Sequence, residues 1–228
     1  SLTGYTCGDL FNQHSLLEAA LEELNRIKSL THDIDMVIAV GLPIALGSKL
    51  YNVAVLFHKA RILAAIPKTY IPHGNEYYEQ RWFSSACESG RDQINVCGQV
   101  VPFGTNILIQ EKNNSNLVIS SELCEDLWAP VAPSSIHAVH GATLLLNLSA
   151  SNETVGKNLV REQLIANQSF RTKSCYIYAS AGLGESTTDL VYSGYAAIAE
   201  AGNLVETSER FSFQGQLLYA DIDLDRLI

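Results

Sequence analysis

Apolar residues fall at helical spacing in HSLLEAALEELNRI, where Leu16, Leu17, Ala20, Leu21, Leu24 and Ile27 share one face, so an amphipathic helix is predicted. The period then changes. DMVIAVGLPI is a continuous apolar run of strand length, as expected in a sheet covered on both faces. YNVAVLFHKARILAAIPKTY reads as two strands joined by a tight turn near His58 to Arg61, and NILIQEKNNSNLVISSEL as a second hairpin turning at Asn113 to Asn116. A short helix (SSIHAVHGA), a strand (ATLLLNLSA) and a long helix from about Val155 to Ser174 follow. Further strands are predicted at CYIYASAG, SGYAAIAEAG and QLLYADIDL. The stretch from Ile71 to Pro102 is polar and rich in aromatics, and reads as a long loop of the kind that usually carries function. No repeat and no interdomain linker interrupts the pattern, so the expectation is one domain over residues 1–228, a mixed sheet layered with helices.

Composition narrows the function classes. The chain has 228 residues, of which 47% are hydrophobic, enough for one substantial core. A net charge of -9 without a basic cluster argues against a nucleic-acid partner. No apolar run reaches membrane length, and no signal peptide is visible. Cys7, Cys87, Cys97, Cys124 and Cys175 are odd in number and lack CxxC spacing, which points away from a disulfide framework or zinc site and towards a reducing, cytoplasmic setting. Asn147 sits in an N-x-S triplet, but inside the apolar stretch LLLNLSAS, so the sequon reads as chance. His137 and His140 share a helix face at i, i+3 without a third ligand and read as ordinary histidines. GLGES lacks the lysine and hydroxyl residue of a phosphate-binding loop.

Candidate chemistry lies at strand ends. Lys68 follows ILAAIP, Cys124 follows LVISSEL, and Ser149 and Ser151 follow LLLNL. Active sites of open α/β sheets gather at such ends. Cys124 lies between Glu122 and Glu125, and neighbouring carboxylates disfavour a thiolate, so on this evidence alone it reads as a buried structural cysteine. A lysine ammonium beside it would reverse that balance.

Four stretches carry a resemblance: IPKTYIPHGNEYYEQRWF, SSELCEDLWAP, NLSASNETVGK and ASAGLGESTTDLVYSG. In this order they resemble the glutaminase domain of glutamine-dependent NAD+ synthetases, amidases of the nitrilase superfamily, over nearly the whole chain. The resemblance implies a four-layer α/β/β/α sandwich of the carbon-nitrogen hydrolase type, N-terminally truncated. It makes Cys124 the nucleophile, Lys68 the cation that stabilises the oxyanion, and Glu76 the second glutamate that positions the lysine and substrate amide. The backbone N–H of Glu125 becomes an oxyanion donor and its side chain a ligand for the substrate ammonium. Tyr5, Tyr77 and Ser151 fall at positions lining the glutamine pocket. Lys157 stands where some members carry arginine, and would meet the α-carboxylate without the bidentate fork. The general-base glutamate is expected about two residues before Ser1, so the 228 residues alone are expected to be nearly inactive.

The implied reaction releases ammonia through a glutamyl thioester, with no cofactor in this domain. The ammonia would feed a C-terminal synthetase domain of the same chain, where ATP and Mg support amidation of nicotinic acid adenine dinucleotide. A homo-oligomer is expected. Two other readings stay open: a stand-alone nitrilase-superfamily amidase or carbamoylase, and a non-catalytic scaffold.

Overall fold

The computed structural model describes residues 1–186 and 190–228. Residues 187–189, within the GESTTDLVY stretch of the fourth motif, lie outside the described residues. The chain divides into two compact units, Ser1–Ile107 and Leu108–Ile228.

In the first unit, helix α1 (His14–Leu30) precedes an antiparallel meander of β1 (Val37–Leu46), β2 (Lys49–His58) and β3 (Arg61–Pro67). The two connections are tight because the register leaves only Gly47 and Ser48 between β1 and β2, and Lys59 and Ala60 between β2 and β3. Lys59 and Ala60 both take positive φ, 45° and 64°, the backbone of a turn that matches strand twist. Val53, Val55 and Phe57 of β2 are fully buried and meet Ala20 and Leu24 of α1, so the predicted apolar helix face is the one that packs. Most of the predicted loop is built. It holds a short hairpin of β4 (His73–Gly74) and β5 (Tyr77–Tyr78), and a second of β6 (Gln93–Val96) and β7 (Gln99–Pro102).

The second unit holds a six-stranded mixed sheet made of β8 (Ile109–Gln110), β9 (Val118–Leu123), β10 (Leu144–Ser149), β11 (Cys175–Ser180), β12 (Ala196–Glu200) and β13 (Asn203–Thr207). Spatial order follows chain order, with β9, β10 and β11 parallel at the centre. Helix α2 (Pro133–Val139) connects β9 to β10, and α3 (Lys157–Thr172) connects β10 to β11. Parallel neighbours require such crossovers. Two sequence expectations fail here. Asn203–Thr207 forms an edge strand that was not predicted, while QLLYADIDL joins no ladder and its Leu224 opens a 3-10 turn. Its Leu218, Ala220 and Ile222 pack instead on Cys175, Ile198 and Leu227.

Burial in this unit loads several weak acids. The Cys175 thiol is pushed up to about 12 from 9.0 by burial first and then by the Glu200 carboxylate. The Tyr178 phenol rises from 10.0 to about 12 through burial and then the charge of Cys124. Tyr176 is raised as well, by burial ahead of Glu122. The folded state therefore keeps protons that the unfolded chain gives up. The stability this supplies is complete below the ordinary thiol and phenol values and is lost as pH rises towards about 12. At about 1.4 kcal/mol per tenfold change in proton affinity, the Cys175 shift contributes on the order of a few kcal/mol. Urea midpoints are accordingly expected to fall steeply between about pH 9 and 12, and a midpoint unchanged over that range would refute the account.

Candidate active site

In the first unit, Lys68 is the residue after β3. Its N–H donates to the Asn52 carbonyl at 2.8 Å and its carbonyl accepts from Ala86 at 2.9 Å, so the backbone is fixed on both sides. The side chain is enclosed, 1% exposed, and its ammonium donates to both Glu79 carboxylate oxygens, at 2.7 and 2.9 Å. Glu79 is 2% exposed. A charge buried this deeply is tolerated only when paired and hydrogen-bonded, and here each partner satisfies the other.

The carboxylate that grips Lys68 is Glu79, a residue that sequence reasoning did not single out. Glu76 is half-buried at the tip of the β4–β5 hairpin, after Asn75 at φ 50°. Glu79 opens the 3-10 turn Glu79–Arg81 that follows the hairpin, and this turn delivers its carboxylate to the ammonium. A spacing of eight residues cannot reveal a hairpin folded into the interval. Tyr77, on β5, and Tyr5, ahead of the first 3-10 turn, are half-buried in the same unit. The turn is anchored by Arg81, which donates to Asp9 at 2.7 and 2.9 Å, and by the Trp82 indole N–H at 2.9 Å. These bonds, Arg81 first, hold the Asp9 carboxyl down at about 2.

In the second unit, Cys124 stands where β9 stops and a 3-10 turn, Cys124–Trp128, begins. The stop is abrupt because Cys124 adopts φ 46°, a left-handed backbone that costs a non-glycine residue about 1–2 kcal/mol. The surroundings hold it there. The Cys124 N–H donates to the Asn147 side-chain oxygen at 3.2 Å, and the Leu123 N–H to the Asp126 carboxylate at 3.0 Å. Cys124 is buried, and Glu125, next on the turn, is half-buried. Glu122, which raised the objection to a thiolate, is already engaged by Tyr176 and by the Ser134 N–H.

Ser151 and Lys157 meet around one loop. Ser151 is buried just past β10, its N–H donating to Ser180 Oγ at 3.1 Å. Lys157, the first residue of α3, hydrogen-bonds Asn152 and places its ammonium 5.5 Å from the centroid of the Trp128 ring. That contact brings it to the turn that begins at Cys124. One turn along α3, Arg161 is fully buried and donates to Glu153 at 2.6 Å and to the Asn152 carbonyl at 2.9 Å, fastening the same loop. Sequence reasoning missed Glu79, Glu122, Asn147, Tyr176 and Arg161. A signal existed for Asn147, since an amide in the apolar run LLLNL must find partners.

The chain belongs to the carbon-nitrogen hydrolase family, whose model matches residues 1–228. It is 37% identical over 227 residues to the glutamine-dependent NAD(+) synthetase of Mycobacterium tuberculosis strain H37Rv, an alignment that takes in 100% of this chain and 33% of the relative. It therefore spans about a third of the length of the curated relatives it matches. The crystal structure of a glutamine-dependent NAD(+) synthetase from Cytophaga hutchinsonii superposes with a TM-score of 0.81 at 30% identity, over 93% of this chain and 34% of that one. A carbon-nitrogen hydrolase from Helicobacter pylori G27 shares the fold at 16% identity, with a TM-score of 0.74 over 99% of this chain and 74% of its own. The fold is thus of the nitrilase-superfamily type, and the chain is homologous to the synthetases. Among the described residues, no helix is long and apolar enough to cross a membrane.

Proposed function

We propose that residues 1–228 form one glutamine amidohydrolase domain, and that it releases ammonia for a glutamine-dependent NAD+ synthetase. The observation that carries this reading is the 37% identity to such a synthetase along the full length of the chain. Lys68, held by Glu79, and Cys124, held at its strained turn, are built as a cation and a nucleophile need to be.

In this reading the Cys124 sulfur attacks the carboxamide carbon of glutamine. The tetrahedral oxyanion is stabilised by the Lys68 ammonium and the Glu125 N–H. The carbon–nitrogen bond breaks, ammonia leaves with the proton taken from the thiol, and a glutamyl thioester remains on Cys124. Water cleaves the thioester to glutamate, its proton passing to the family's glutamate base and back to the thiolate. Tyr5, Tyr77, Glu76, Glu125, Ser151 and Lys157 bind and orient the substrate, Lys157 as a point charge for the α-carboxylate. The ammonia passes to a synthetase domain of the same chain, which uses ATP and Mg. The setting is cytoplasmic and the assembly a homo-oligomer. The reading is tested by mapping which cysteine is acylated by glutamine or alkylated, with loss of dinitrogen, by a diazo-ketone analogue of it.

A further inference from the structure

Glu122 has no part in that mechanism, yet it is among the most enclosed carboxylates of the protein, 1% exposed two residues before Cys124. It ends a chain of hydrogen bonds that begins at the nucleophile's own backbone. The Cys124 N–H donates to Asn147 Oδ1 at 3.2 Å, Asn147 Nδ2 donates to the Tyr176 hydroxyl at 3.0 Å, and that hydroxyl donates to Glu122 Oε1. The other carboxylate oxygen accepts from the Ser134 N–H at 2.8 Å. Asn147 and Tyr176 are buried like Glu122.

The direction of the chain is fixed at its Cys124 end. A backbone N–H only donates, so Asn147 must present its oxygen to Cys124 and turn its NH₂ to Tyr176. The Tyr176 hydroxyl then accepts from that amide and gives its own hydrogen to Glu122. The Cys124 N–H belongs to the residue forced to φ 46°, a conformation that persists only where the surroundings over-determine it.

We propose that Glu122, Tyr176 and Asn147 form a positioning relay. It locks the left-handed turn at Cys124, and so sets the rate at which the thiol reacts rather than the affinity for glutamine. The inference rests on the reading of Cys124 as nucleophile.

The test is a double-mutant cycle on the full-length protein with Glu122→Gln and Tyr176→Phe. Glutamine kinetics are measured well below the melting temperature, alongside iodoacetamide alkylation of Cys124 followed by peptide mapping. A glutamine side chain cannot accept at both positions, and phenylalanine severs the same chain one link away. Each single variant is expected to lower kcat by about 10- to 100-fold with KM within about twofold of wild type. The double variant is expected within about threefold of the slower single, because a relay broken once is already lost. Either single keeping kcat within about threefold of wild type, or a double falling by the product of the singles, would overturn the relay. If Glu122→Gln does not fold, Tyr176→Phe and Asn147→Asp carry the same criterion. Wild-type protein that leaves glutamine intact would instead refute the proposed function. The relay would then be read from the alkylation rate alone, and rates within about threefold of wild type in both singles would reject it.

Discussion

Replacing Cys124 by alanine is expected to lower ammonia release from glutamine by on the order of 10⁴- to 10⁶-fold, the scale of loss when a covalent nucleophile is removed. Two of the other thiols are poorly suited to replace it. Cys175 is enclosed at the start of β11 with its thiol held protonated up to about 12, and Cys97 is also raised by burial. The substitution should spare the fold. The two residues are close in size, and the Asn147 and Asp126 contacts at the turn are made by backbone N–H groups that alanine keeps. Thermal unfolding should therefore shift by only a few degrees, as for a change of about 1 kcal/mol. An alanine variant that folds and still hydrolyses glutamine at more than about a hundredth of the wild-type rate would remove Cys124 from the mechanism.

Glu79→Gln is the second large effect, and it acts on both stability and rate. The Lys68 ammonium is 1% exposed and both oxygens of its partner are committed to it. An amide removes the charge that both of these ammonium bonds meet, and breaking a buried pair typically costs about 3–5 kcal/mol. For a domain of this size that lowers the melting temperature by roughly 6–20 °C. Lys68 would then be held less firmly and favoured less as a cation, so kcat should fall at least about tenfold. Glu76→Gln provides the contrast. Glu76 is half-buried at a hairpin tip, and its loss should leave the melting temperature within a few degrees. Equal losses of stability in the two variants would contradict the pairing of Lys68 with Glu79.

Much of this was legible in the residues. The meander of β1 to β3 shows as long apolar runs punctuated at Gly47–Ser48 and Lys59–Ala60, and α1 as a 3.6-residue period. What failed has particular causes. QLLYADIDL alternates like a strand because alternate residues rest on an apolar surface, which produces the same period without any ladder. NLVET pairs at the sheet edge, where both faces tolerate polar residues and the apolar signal fades. Cys124, Lys68 and Ser151 could be placed because each follows an apolar strand. Glu79 could not, since its approach to Lys68 depends on a hairpin and a 3-10 turn packed into a dozen residues. The objection raised by the acids beside Cys124 dissolves for a similar reason. Spacing shows that Glu122 is near, and only the fold shows it bound by Tyr176 and Ser134.

The central claim is that Cys124 is the residue glutamine acylates. It is tested most directly by exposing the full-length protein to a diazo-ketone glutamine analogue, digesting it, and locating the adduct by mass spectrometry. Cys87 is the exposed competitor and Cys7 and Cys97 are half-buried, whereas Cys124 is buried, so accessibility alone would favour the others. The account predicts one adduct per chain, on Cys124, with free glutamine protecting against it. An adduct on Cys7, Cys87, Cys97 or Cys175, or labelling of Cys124 that glutamine does not slow, would contradict it.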